Sequence, residues 1–149
     1  YFQMYKTLPL CLVFFLSISG AIIASKANAE TNSFSIEEAV FRPGVGNRPG
    51  VMFFKLSNTS GMNKTLISAT SNTAEKIEIH NHDMKDGVMR MRRLDKLSVN
   101  AQSSVLLKPH GLHLMVFGYS ASEEMSVTLN FDTEEQVTFV PEIISYGTK

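Results

Sequence analysis

From Phe34 onward the chain is written in short apolar runs, each stopped by a cluster of turn residues. Phe34 to Phe41 leads into Arg42-Pro43-Gly44-Val45-Gly46-Asn47-Arg48-Pro49-Gly50, and Val51 to Leu56 is stopped by Ser57-Asn58-Thr59-Ser60-Gly61. Further strand-like runs cover Leu66 to Ala69, Lys76 to His80, Val88 to Leu94, Ser104 to Leu107, Leu112 to Phe117, Met125 to Phe131 and Gln136 to Val140. Asp83 to Gly87, Asn100 to Ser103 and Lys108 to Gly111 read as the turns between them, with Asp86-Gly87 as a hairpin signal. No helical period of useful length and no internal repeat interrupts this pattern. Short strands at regular spacing predict an all-β fold, an antiparallel β-sandwich or barrel. Within Lys76 to His80, Ile77 and Ile79 alternate with Glu78 and His80, which sets His80 on the face opposite the isoleucines. Pro141 is expected just after the last strand, where its missing N–H does no harm.

The residues before Phe34 change the picture by what they remove from it. Tyr1-Phe2-Gln3 reads as the remnant of a protease-cleavage tag, residues 1–3. Met4 to Ala29 reads as a secretory signal peptide: Lys6, an apolar stretch from Leu8 to Ile23, and the small-residue cleavage site Ala27-Asn28-Ala29. The rival, a membrane span, needs about 20 predominantly apolar residues. This run is shorter, holds Pro9 and ends in Ser25-Lys26. The remainder, residues 30–149, suits one domain, expected in the periplasm and not embedded in a membrane, with a monomer as the expected form. Basic and acidic residues balance at 14 each; with Lys6 and Lys26 gone the balance is slightly acidic. No basic patch stands out, which argues against nucleic acid.

The only cysteine, Cys11, lies in the signal and comes too early to look like a lipoprotein anchor. The domain therefore has no disulfide, no thiolate ligand and no thiol nucleophile, and a blue-copper centre, which needs a Cys thiolate, is excluded. No Gly-x-Ser-x-Gly elbow is present and no triad can be assigned, which leaves a hydrolase reading weak; the chain is expected not to be an enzyme.

The candidate chemistry lies between His80 and Met115, which contains all four histidines and four of the eight methionines. His80/His82, Met89/Met91 and His113/Met115 each share a spacing of two, and in a strand such pairs point one way. Thioether is a soft ligand that selects Cu(I), and imidazole serves copper as well as zinc, iron or nickel; zinc does not ordinarily take Met. A mixed His/Met set thus points to copper. Methionine also fills irregular cores, and Met52 and Met125 are read that way, with Met62 exposed in a loop. Spacing alone leaves both readings of the central stretch open.

The pattern His-x10-Met-x21-His-x-Met, present as His80, Met91, His113 and Met115, resembles the periplasmic CuA copper chaperone family (PCuAC). Gly87-Val88-Met89-Arg90-Met91-Arg92, Lys108-Pro109, Gly111 to Met115 and Arg48-Pro49-Gly50 resemble the family's surrounding text, and the likeness covers most of Glu30 to Ile144. The resemblance implies a cupredoxin-like Greek-key sandwich holding Cu(I) by two imidazoles and two thioethers. It implies delivery of copper toward the CuA centre of cytochrome c oxidase, so the partner is the CuA-bearing oxidase subunit or another copper chaperone. His82, Met84, Met89 and His110 stand outside the motif and form a secondary set; His82 and His110 are expected to face solvent, with Cu(II) as a second candidate ion. The alternatives are a metal-free β-sandwich interaction module and a copper redox protein using His80, His82, His110 and His113.

Overall fold

A computed structural model describes residues 33–145, all of them in β-strands, turns and loops. Residues 1–3 and 4–29, read above as a tag remnant and a signal peptide, lie outside the described residues, and Cys11 with them. Among the described residues eleven strands follow in order: β1 Phe34–Arg42, β2 Gly50–Asn58, β3 Lys64–Ser71, β4 Lys76–Lys85, β5 Val88–Leu94, β6 Leu97–Val99, β7 Ser103–Leu107, β8 His113–Phe117, β9 Val127–Phe131, β10 Gln136–Phe139 and β11 Glu142–Ile143. They form two sheets. The larger runs β11-β1-β2-β8-β4-β5, with β7 also paired to β2; the smaller runs β10-β9-β3-β6. The chain passes between the sheets several times, as in Greek-key sandwiches. The described residues lie within one compact unit, Thr31–Lys149, and none of them forms a helix long and apolar enough to cross a membrane.

The period of two explains which side of each strand is buried. In β2, Met52, Phe54 and Leu56 alternate with partly exposed residues, and in β9 Val127, Leu129 and Phe131 do the same. These meet Phe34, Phe41, Leu66, Ile79, Val99, Leu107, Leu114 and Val116 in one core between the sheets. Met52 and Met125 belong to it and Met62 is exposed, as expected. Lys64 is, with Asn58, Thr73 and His113, among the buried polar residues: its ammonium is buried against Glu135 and lies over the Phe34 ring.

The expected architecture is present, with three departures. The turn expected at Asp83–Gly87 shrinks to Asp86-Gly87, both at positive φ (53° and 74°), so β4 continues to Lys85. A two-residue turn of that hand matches the twist of the strands it joins. Two short strands escaped the sequence pattern, β6 and β11. β11 pairs in parallel with β1 through Val40↔Glu142 and Phe41↔Ile143, the one parallel pairing in the larger sheet. Pro141 consequently lies between two strands, not after the last.

Candidate metal centre

The hairpin register brings the central stretch onto one sheet face. β4 and β5 pair with His82 opposite Met91, His80 opposite Arg93 and Met84 opposite Met89. β8 lies on the other side of β4, with His113 opposite His80 and Met115 opposite Glu78. Directly opposed residues share a face, so β5 contributes Met89, Met91 and Arg93, β4 contributes Glu78, His80, His82 and Met84, and β8 contributes His113 and Met115. This is the face turned away from the core, since Ile79 and Leu114 point inward.

His80 is the hub of that arrangement. It faces His113 directly and is diagonal, by one two-residue step, to Met91 on one side and to Met115 on the other. Diagonal neighbours lie roughly 7–8 Å apart at Cα, within reach of long side chains. The ten- and 21-residue gaps of the motif thus have a geometric meaning: each returns the chain beside His80 on an adjacent strand.

Burial grades the set from inside to outside. His113 is 1% exposed, Met115 8% and Met91 47%. The His80 and His113 rings lie 5.8 Å apart, centroid to centroid, and His82 and His113 5.1 Å. His82 is therefore not the solvent-facing neighbour expected of it: the longer β4 carries it into the cluster. His110 is exposed on the loop before β8, in the left-handed region (φ 63°), with its ring 6.2 Å from that of His82. Met84 and Met89 share the face but sit near the hairpin tip, 62% and 48% exposed.

Hydrogen bonding leaves three ring nitrogens of this cluster buried and without a partner: Nδ1 of His80, Nδ1 of His82 and Nε2 of His113. Buried polar atoms are ordinarily paired, so three orphans in neighbouring rings are a chemical signal. The opposite nitrogen of His113, Nδ1, donates to the Gly111 carbonyl at 2.9 Å. That bond places the proton on Nδ1 and leaves a lone pair on Nε2. His80 Nε2 meets Glu78 Oε2 at 2.9 Å. A neutral imidazole lone pair beside thioethers is a donor set suited to a soft monovalent ion. Among the described residues no three His, Cys, Asp or Glu side chains are grouped as a metal-holding set.

The electrostatics favour the uncharged form of the buried ring. Burial pushes the His113 imidazole below its ordinary value, and His82 and His80 add to this against the Gly111 bond, which raises it. Glu78 is held from 4.5 down to about 2, chiefly by the bond to His80 and next by that to Lys76, against the opposing effect of burial. The sequence pattern did not single out Glu78. The available signal was a carboxylate two residues before a histidine on the same strand face.

Comparison with known proteins places this geometry in context. The family model described as "Putative lipoprotein LpqE-like" matches residues 34–142. A protein of Leifsonia xyli subsp. xyli named "Putative lipoprotein Lxx21020" is 25% identical over 126 residues, covering 78% of this chain and 75% of that protein. Among solved structures, the copper-bound PCuAC domain from PmoF2 superposes with a TM-score of 0.62 at 19% identity, covering 76% of this chain and 93% of that one. The apo PCuAC domain from PmoF1 gives 0.60 at 13% identity, covering 76% and 94%. Apo-DR1885 from Deinococcus radiodurans gives 0.57 at 17% identity, covering 99% and 97%. The cupredoxin-like sandwich of these PCuAC domains is the fold of this chain.

Proposed function

The chain belongs to the LpqE-like family, and from that premise we propose that it is an exported Cu(I) carrier rather than an enzyme. His80, His113, Met91 and Met115 hold the ion, and the cargo passes to a copper-accepting protein. The observation that carries this reading is the cluster of orphaned imidazole nitrogens on a sheet face shared with Met91 and Met115. The copper-bound relative of the same fold supports it. The lipoprotein names of the family and the Leifsonia protein support export, with the periplasm as the compartment and residues 4–29 as the leader.

The gradation of burial fits carriage. Buried His113 and Met115 form a fixed floor, whereas half-exposed Met91 lies where an incoming thiolate or thioether can displace it first. Uncharged ligands leave the monovalent ion with its positive charge, so release does not require separating it from an anion bound directly to it. The physiological acceptor in this reading is the CuA-bearing subunit of cytochrome c oxidase or an intermediate copper chaperone.

An anaerobic Cu(I) titration against a competing chelator tests the assignment. One ion per chain is expected, with affinity sharply reduced in Met91→Ala and in His113→Ala; unchanged stoichiometry and affinity in both variants would overturn it. A second reading, Cu(II) held mainly by imidazoles, is favoured by the 5.1 Å approach of His82 to His113. Electron paramagnetic resonance separates the two: a stable, stoichiometric multi-nitrogen Cu(II) signal supports the second.

A further inference from the structure

Glu78 lies two residues before His80 on β4, on the same face, and its side chain is 12% exposed. Both carboxylate oxygens are engaged. Oε2 accepts from His80 Nε2 at 2.9 Å, while Oε1 meets Lys76 Nζ at 2.9 Å and the Arg93 guanidinium at 3.7 Å. Lys76 is in turn steadied over the Phe117 ring, 4.5 Å from its centroid. The carboxylate is thus tied from β4 and from β5, and it fixes the far edge of the His80 ring. An anion at Nε2 draws the proton to that nitrogen. A proton on Nδ1 instead would be buried without an acceptor.

His113 is arranged in the opposite sense, because the Gly111 carbonyl takes its Nδ1–H and leaves Nε2 bare. His82 also has a buried, unpartnered Nδ1, yet no carboxylate or carbonyl hydrogen-bonds its ring among the described residues. An anchored ring has already given up its rotational freedom, and a hydrogen bond at the far nitrogen raises the basicity of the near one.

We propose that Glu78 is a positioning residue that orients His80 and presents its Nδ1 to the cargo ion, while Gly111 makes His113 present Nε2. The inference rests on the copper-carrier reading above and names what selects His80 over His82 within it. It assigns the two imidazoles to opposite tautomers before any metal arrives.

Nitrogen-15 long-range correlation spectra of the metal-free chain read those tautomers directly. In the wild type, His80 is expected with its proton on Nε2 and His113 with its proton on Nδ1. In Glu78→Leu the His80 pattern should broaden toward a tautomer average and Cu(I) affinity should fall about 10- to 100-fold. Glu78→Gln, which keeps an acceptor oxygen, should retain the pattern and lose less affinity. A proton on His80 Nδ1 in the wild type overturns the proposal, as does unchanged Cu(I) affinity in Glu78→Leu. Should the leucine variant not fold, the wild-type spectrum and the glutamine variant still decide. A wild-type chain that binds no Cu(I) would count against the carrier reading, whereas the metal-free spectra judge the Glu78–His80 anchor independently.

Discussion

Buried His113 couples the state of one residue to the pH response of the whole fold. Its folded-state pKa is depressed from the ordinary 6.5, so the unfolded chain binds the proton more readily. Its contribution to stability is complete above pH 6.5 and is lost as pH falls through the lower, folded value. Glu78 acts further down: its carboxyl, lowered from 4.5 to about 2, adds stability above pH 4.5 that disappears as pH falls toward 2. Glu135, lowered by its bond to Lys64, works in the same direction. The metal-free protein should therefore lose stability on acidification in two stages. Melting temperature followed against pH checks this: His113→Leu should flatten the first stage and Glu78→Gln should weaken the second. Parallel curves for wild type and His113→Leu on either side of pH 6.5 would contradict it. Copper affinity should fall in acid as well, because imidazole must be neutral to bind.

Among the elements, the β4–β5 hairpin and β8 set the centre, and β2 flanks β8 within the same sheet. Gly50 opens β2 and pairs with Val116 of β8. A Cβ placed there would come within 2.5 Å of the Phe41 ring and 2.8 Å of the Arg42 carbonyl oxygen. Gly50→Ala should thus destabilise the fold by about 1–3 kcal/mol, the usual cost of overpacking, measured as a lower midpoint in denaturant; an unchanged midpoint would show that β1 yields freely. The strands with strong alternation, β2 and β9 above all, were legible because burial on one face writes a period of two into the sequence. The three-residue β6 and two-residue β11 were not, because so few residues carry no period and their pairing is chosen by neighbours distant in sequence. The same limit applied at the centre. The side-chain types drew attention to the stretch from His80 to Met115, and the resemblance to the PCuAC pattern selected His80, Met91, His113 and Met115 within it, but the strand extension that brings His82 inward depends on Asp86 and Gly87 both accepting positive φ. Glu78 read as an ordinary alternating polar residue until the register set it beside Arg93 and Met115.

At the scale of the whole domain, the proposed ligands lie on the face of the larger sheet turned away from the core, so the carrier reading requires no repacking between the two sheets. Binding to the native state alone raises stability by mass action, about 2.7 kcal/mol at a free ligand concentration 100 times Kd. Under anaerobic conditions Cu(I) should raise the melting temperature of the wild type, and far less that of Met91→Ala; no shift in the wild type would favour a metal-free interaction module. The account depends most on the identity of the ligands, and X-ray absorption at the copper edge of the Cu(I)-loaded protein counts them. It predicts two nitrogen and two sulfur neighbours, with one sulfur lost in Met91→Ala. A shell of nitrogen and oxygen without sulfur would contradict it.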